Sequence, residues 1–276
     1  VMIFKYILPS SHLKEYVKEY CFFHFILDQK ISVPLKPYPA CPEQGITFYI
    51  KGYLVSNSLE FGTSEKRAQI VIFGQPLTRQ DLQLSNEYMM INIRFHPGAL
   101  YKILRIPMSE FVNKNVDAEL VLGREIREVN ERLSNALCYE EMLNIVESYL
   151  WDKIKKIKDE IHPIDKIGNF ILEDPQLFNL KKIARQACLS PSQFERKFIQ
   201  QIGVNPKFFA RVCRFSQAFA LKERNQHLSW LDIAWKTGYT DYQHLVKDFK
   251  QFSGSTPNIL INESTQAPER WLGLIK

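Results

Sequence analysis

The chain has 276 residues, 45% of them hydrophobic and 24% charged, a composition that suits a soluble protein of two ordinary domains. No apolar run is long enough to span a membrane, and five cysteines without paired spacing point to reduced thiols in a cytoplasm rather than a disulfide scaffold. Residues 1–160 are electrically balanced, so the whole net charge of +6 lies on residues 161–276, the half that would meet a polyanion.

Val1–Leu8 is apolar but too short for a signal peptide and lacks a small-residue cleavage site. Pro9-Ser10 then opens a predicted amphipathic helix with Leu13, Tyr16, Val17 and Tyr20 on one side. Strand-like runs follow at Cys21–Leu27, Ile46–Val55, Gln69–Phe73 and Met89–Phe95, with prolines 34, 37, 39 and 42 placing a loop after the first. They predict a small antiparallel sheet or partial barrel. From Leu100 the pattern turns helical, with amphipathic helices over 123–137 and 139–160. The fold class expected is α+β: a β-rich then helical domain over 1–160, and an all-α domain over 161–276.

The N-terminal half shows no catalytic signature. A metal site would want two or three histidines with a carboxylate on adjacent strands. His24 and His96 stand singly on separate strands and His12 lies in the first helix, which fits structural histidines better. There is no Gly-x-Ser-x-Gly, no phosphate loop, no supported Cys-His pair and no acidic cluster after the first strand. Glu43, Arg94 and His96 fit either a pocket or a salt bridge at a barrel mouth. No catalytic residue, metal ligand or cofactor is assigned.

The helix from Tyr139 carries Leu143, Val146, Leu150, Ile154, Ile157 and Ile161, close to a heptad seam. Two readings stay open: pairing of two copies into a homodimer, or packing on the helix's own sheet. A boundary falls near Asp159–Pro163.

Residues 180–257 read as one helical unit written twice. Ile183-Ala184 returns as Ile233-Ala234, and Phe198, Gln200, Gly203 and Pro206 return as Phe249, Gln251, Gly254 and Pro257. In the first copy Asn179 caps a short helix, Cys188 and Leu189 make the turn, and Ser190-Pro191-x-Gln193 is a capping box with proline at the first helical position. In the second, Ser229 caps the first helix, Gly238 sits at the turn, and Thr240 or Asp241 caps the next. A helix from Pro206 to about Arg224 joins the copies and spans nearly ~30 Å at ~1.5 Å per residue. Phe194/Phe198 and Leu245/Phe249 face inward. Ser192, Glu195 and Arg196 face outward in the first copy, as do Tyr242, Gln243, His244, Val246 and Lys247 in the second. A helix fits the major groove, where such side chains can read base edges.

These residues carry a specific resemblance. Ile183-Ala184, Phe194-x-Arg196-x-Phe198, Gly203-x-Asn205-Pro206, Ile233-Ala234-x-x-x-Gly238-Tyr239 and Phe249-Lys250-x-x-x-Gly254-x-Thr256-Pro257 make residues 163–262 similar to the DNA-binding domain of AraC/XylS-family transcription regulators. Cys188 departs from that pattern by replacing the usual glycine at the first turn. The pieces Pro39-Ala40-Cys41-Pro42-Glu43-Gln44-Gly45, Phe73-Gly74 and Arg94-Phe95-x-Pro97-Gly98-Ala99, with Ile106-Pro107-x-Ser109-Glu110, resemble a sensor-type domain found ahead of such modules.

The resemblance implies a regulator of double-stranded DNA with an effector- or partner-controlled N-terminal half, and small-molecule effectors or RNA polymerase as further partners. Seven helices are expected in 163–262, with base-reading helices near 190–202 and 241–252. The eight outward residues above are expected at bases; Lys181, Lys182, Arg211, Arg214 and Lys250 are expected at phosphates, Arg214 equally as a brace. The effector, the operator and the sign of regulation stay open. The alternative is an enzyme or small-molecule binder localised to DNA by a basic tail, or an adaptor retaining the DNA module.

Overall fold

A computed structural model describes residues 2–157 and 163–275. Its N-terminal half holds strands β1 (Ile3–Ile7), β2 (Val17–Ile26), β3 (Lys36–Tyr38), β4 (Gly45–Lys51), β5 (Leu54–Ser58), β6 (Thr63–Lys66), β7 (Ile70–Phe73), β8 (Gln80–Leu84), β9 (Glu87–Phe95) and β10 (Asn115–Asp117). They pair antiparallel into a six-stranded sheet, β1-β2-β9-β4-β7-β10, and a four-stranded sheet, β3-β8-β5-β6. Four helices accompany them: α1 (Ala99–Leu104), α2 (Ala118–Leu122), α3 (Arg124–Asn135) and α4 (Tyr139–Ile154). The fold class is α+β.

Period-two alternation divides the large sheet between two environments. Ile91, Ile93 and Phe95 of β9 are buried in a core that also holds Ile126 and Leu133 of α3 and Val146 and Leu150 of α4. Met90, Asn92 and Arg94 lie on the opposite face and line a cavity with residues of the smaller sheet.

The helix expected from Leu13, Tyr16, Val17 and Tyr20 is not formed. Residues 11–16 make turns, closed by Tyr16 and Val17 N–H groups donating to the Leu13 carbonyl at 2.9 Å, and β2 starts at Val17. The spacing fits a helix face, but Tyr20 to Phe25 are buried on both faces of a strand paired with β1 and β9. Tertiary packing of bulky side chains overrides the local pattern. The run Ile46–Val55 is two strands, broken at Gly52. Its φ of 72° is in the left-handed region, and a Cβ there would lie 1.9 Å from the Glu87 carbonyl oxygen. The short strands β1, β3, β6, β8 and β10 had no strand signal.

The α4 stripe is spent on its own domain. Val146, Leu150 and Ile154 are buried in the N-terminal core, and Leu143 and Ile157 are packed against it. Of the two open readings, this burial favours packing on the helix's own domain over a homodimer seam; Ile161 and the boundary at 159–162 lie outside the described residues.

The C-terminal half has seven α-helices that start within 163–262: α5 (Pro163–Glu173), α6 (Leu180–Gln186), α7 (Pro191–Ile202), α8 (Pro206–Arg224), α9 (Trp230–Lys236), α10 (Tyr242–Ser253) and α11 (Pro257–Thr265); α12 (Pro268–Trp271) follows. They enclose two cores. Ile183, Phe194, Phe198 and Ile202 meet Phe209 and Cys213 of α8 in the first. Ile233, Leu245, Phe249 and Phe252 meet Val212, Phe215 and Ala218 of α8 in the second. One 19-residue helix therefore joins both units, contributing different faces to each.

Candidate nucleic-acid interface

Each unit is punctuated as its sequence dictates. The Asn179 side chain accepts from the Lys182 N–H, capping α6. Ser190 and Gln193 form a complete capping box on α7, and Ser229 and Asp232 do so on α9. Asp241, not Thr240, caps α10, accepting from the His244 N–H at 2.8 Å. The first turn passes through Cys188 at φ 55°, the second through Gly238 at φ 75°. A Cβ on Gly238 would also stand 2.6 Å from Gln176 Cβ.

The outward residues stay uncovered in the folded chain. Ser192 and Arg196 are exposed and Glu195 half-buried on α7, while Phe194 and Phe198 are fully buried beneath them. Arg196 and Glu195 form no ion pair among the described residues. On α10, Tyr242, Gln243, His244 and Lys247 are exposed and Val246 is half-buried. The His244 Nδ1 is held by the Asp241 carboxylate and the Thr240 hydroxyl, both at 2.8 Å, which leaves Nε2 for other contacts. The backbone N–H of His244 and then its ring hold the Asp241 carboxyl below its usual range.

Lys181 and Lys182 are exposed on the first turn of α6, and Lys250 is exposed near the end of α10. Arg211 and Arg214 are differently placed. Arg211 donates to Asp248 and to Gln251, each at 2.6 Å. Arg214 donates to the Gly238 carbonyl at 3.3 Å and lies over the Tyr239 ring, 4.3 Å from its centroid. Asp248, 4% exposed, also accepts from the Tyr239 hydroxyl at 3.1 Å. Burial, and then that carboxylate, push the Tyr239 phenol well up. Both arginines thus brace α8 against the second unit through a buried acid that sequence reasoning missed. Asp248 stands three residues after Leu245 and four before Phe252, so helical spacing puts it on the inward face, and only its charge masked it as a surface residue.

Between the two sheets lies a cavity of about 80 Å³, walled by aromatic and aliphatic side chains including Phe23, Tyr49, Leu82 and Tyr88. Lys36, Arg67, Arg94 and Lys114 contribute its positive charge. Arg94 pairs with Glu19 at 3.0 Å and Glu43 at 3.1 Å, the salt bridge expected as one reading of that cluster. His96 turns away and pairs with Asn169 at 3.1 Å, and His24 meets the Tyr139 hydroxyl at 2.7 Å.

Residues 183–262 match the family described as a helix-turn-helix domain, and residues 5–117 match a domain of unknown function, DUF6597. The C-terminal half carries an AraC-type helix-turn-helix domain. Among relatives of this chain, the arabinose operon regulatory protein of Escherichia coli is 26% identical over 131 residues, 44% of each chain. An uncharacterized HTH-type transcriptional regulator of Haemophilus influenzae is 37% identical over 90 residues, 32% of this chain and 30% of that protein. The chain thus matches less than half the length of these curated relatives. Among solved structures, ToxT from Vibrio cholerae superposes with a TM-score of 0.49 and 12% identity, over 88% of this chain and 98% of that one. The DNA-binding domain of AdpA in complex with a target DNA gives a TM-score of 0.35 and 22% identity, over 38% and 95%.

The AraC-type domain is clamped to the cavity-bearing half at several points. The Gln44 amide donates to the Ile202 carbonyl at the end of α7. Ala40, 1% exposed, is part of the second unit's core, and its N–H donates to the Phe252 carbonyl at 2.9 Å. Arg79 pairs with Glu263 of α11 at 2.5 Å and Lys36 with Glu269 of α12. Leu272 and Leu274 beyond α12 pack against the apolar cluster that walls the cavity. The motif Pro39 to Gly45 and the C-terminal tail are therefore two of the physical links between the halves; Leu77 and Val112, packed against the first unit's core, are others. No helix among the described residues is long and apolar enough to cross a membrane.

Proposed function

We propose that this chain is a sequence-specific, DNA-binding transcription regulator, with a sensor and DNA-binding part dividing near residue 160 and the N-terminal cavity as its effector site. The observation that carries the reading is the pair of capped helices, α7 and α10, whose polar faces stay exposed while their apolar faces anchor on one connecting helix. The names of the arabinose operon regulatory proteins support it. Ser192, Glu195 and Arg196 read bases from the first unit; Tyr242, Gln243, His244 through Nε2, Val246 and Lys247 read them from the second. Lys181, Lys182 and Lys250 neutralise phosphates. Arg211 and Arg214 reach phosphates only if DNA competes with the acid and carbonyl that now hold them. A cytoplasmic location and contact with RNA polymerase belong to the same reading.

Selection of bound duplexes from a random DNA pool tests it. Enrichment of a sequence with two recognition elements on one face of the duplex is expected. A pool that stays random after repeated rounds would sink sequence-specific binding.

A further inference from the structure

Resting on the reading that the cavity is the effector site, we propose that its ligand is a small organic carboxylate of about five to eight non-hydrogen atoms, bearing a hydrogen-bond donor on a short apolar chain. Charge comes first. Lys36, Arg67, Arg94 and the solvent-exposed Lys114 line the cavity among aromatic and aliphatic walls, and no carboxylate does among the described residues. Lys36 and Arg94 already have acids behind them, Glu269 for one and Glu19 with Glu43 for the other. Arg67 has none: its guanidinium donates only to neutral groups, the Tyr49 hydroxyl at 3.0 Å and the Gln80 amide oxygen at 2.9 Å. A cation withdrawn from water without a counter-charge is costly, and an anionic ligand removes that cost.

Hydrogen-bonding valence points the same way. Arg67 Nε, Arg94 Nε and Asn92 Oδ1 are buried without a protein partner, and all three belong to residues lining the cavity. Two open donors suit the oxygens of a carboxylate, and one open acceptor suits a hydroxyl or amino group on the same molecule. Asn92 and Arg94 share one face of β9, and the Asn92 amide is held by the Thr47 hydroxyl at 2.8 Å, which leaves its oxygen aimed elsewhere. Size follows from volume. A cavity of about 80 Å³ holds about five to eight water-sized groups at ~10–15 Å³ each.

The test is titration calorimetry on the full chain without DNA, using 3-hydroxybutyrate, butyrate and the neutral isostere butyramide. The order expected is 3-hydroxybutyrate tightest, butyrate next, and butyramide weaker than butyrate by about ten-fold or more, the scale of a charge-assisted contact. Arg67→Gln should bring butyrate down to the level of butyramide, and Arg67→Lys should restore part of the difference. Equal affinity for butyrate and butyramide, no binding of either acid at millimolar concentration, or an Arg67→Gln chain that folds and binds butyrate unchanged would each overturn the proposal. Should Arg67→Gln fail to fold, the acid–amide pair on the unaltered chain still decides the charge. Duplex affinity measured with and without the bound acid is a separate readout: binding without a change in DNA affinity would refute effector control and leave the anion site standing.

Discussion

At the residue scale, Cys188 stands where a turn demands positive φ. A left-handed residue with a Cβ costs ~1–2 kcal/mol, and glycine gives back ~0.5–1 kcal/mol through its freer unfolded state. Cys188→Gly should therefore stabilise the chain by about 0.5–1 kcal/mol in urea unfolding, whereas Cys188→Val should lower the midpoint. Asp248 works the other way. It is one buried acid holding two arginines and a tyrosine. Removing one partner of a buried pair costs ~3–5 kcal/mol. Both guanidinium groups keep more than a quarter of their surface, at 29% and 27%, so Asp248→Ala should cost nearer ~2–3 kcal/mol. The loss should concentrate in amide protection of α9 and α10. Acid acts through histidine. Burial lowers the pKa of His96, and of His24, below the ordinary 6.5. The unfolded chain then binds more protons between the folded value and 6.5, so stability is full above that range and falls as pH drops through it. His96→Gln should flatten this acid slope in urea midpoints measured from pH 7 downward. An unchanged slope would assign it elsewhere.

At the scale of elements, the helical half was legible because its punctuation is local. Ser190 with Gln193, Ser229, Asp241 and the glycines at 203, 238 and 254 announce helix ends within a few residues of the groups they satisfy. Those caps can be weighed: Ser190→Ala and Ser229→Ala should each cost ~1 kcal/mol, and the first should also loosen the start of α7, where Ser192, Glu195 and Arg196 are presented. Arg196→Ala should instead leave stability alone, cost ~1–3 kcal/mol on the best duplex and relax preference at one base pair. Uniform weakening across all sequences would make Arg196 a phosphate contact. The sheet half was legible where a run is rich in bulky apolar residues, down to the four residues of β7. Its polar strands carry no such signal; β6, Thr63–Lys66, is exposed at every residue and forms only because β5 offers an edge. Leu13, Tyr16, Val17 and Tyr20 misled because their spacing serves a helix face and a turn entering a buried strand equally well. The cavity was hidden for a related reason, since Met90, Asn92 and Arg94 share its wall only by alternation along β9.

At the scale of the whole molecule, one loop touches both recognition units. Gln44 holds the C-terminal end of α7 and Ala40 sits in the core beneath α10, while Glu43 between them grips Arg94 in the cavity wall. Nothing in the sequence links residues 40–44 to positions more than 150 residues away. The loop was visible only as a motif without a role. Its geometry makes the two contacts separable. Gln44→Ala removes a single hydrogen bond, worth ~0.5–1.5 kcal/mol, from the end of α7. Ala40→Leu forces extra methylene groups into a filled core, at ~1–3 kcal/mol, beneath α10. Hydrogen exchange should therefore show Gln44→Ala loosening mainly α7 and Ala40→Leu loosening mainly α10, with the cavity strands protected in both. If either substitution loosened both helices equally, α8 rather than the loop would set their relation. If neither changed exchange in the C-terminal half, the loop would be a passive contact, and the route from cavity to DNA would run through Lys36–Glu269 and the C-terminal tail or through Leu77 and Val112 against the first unit's core.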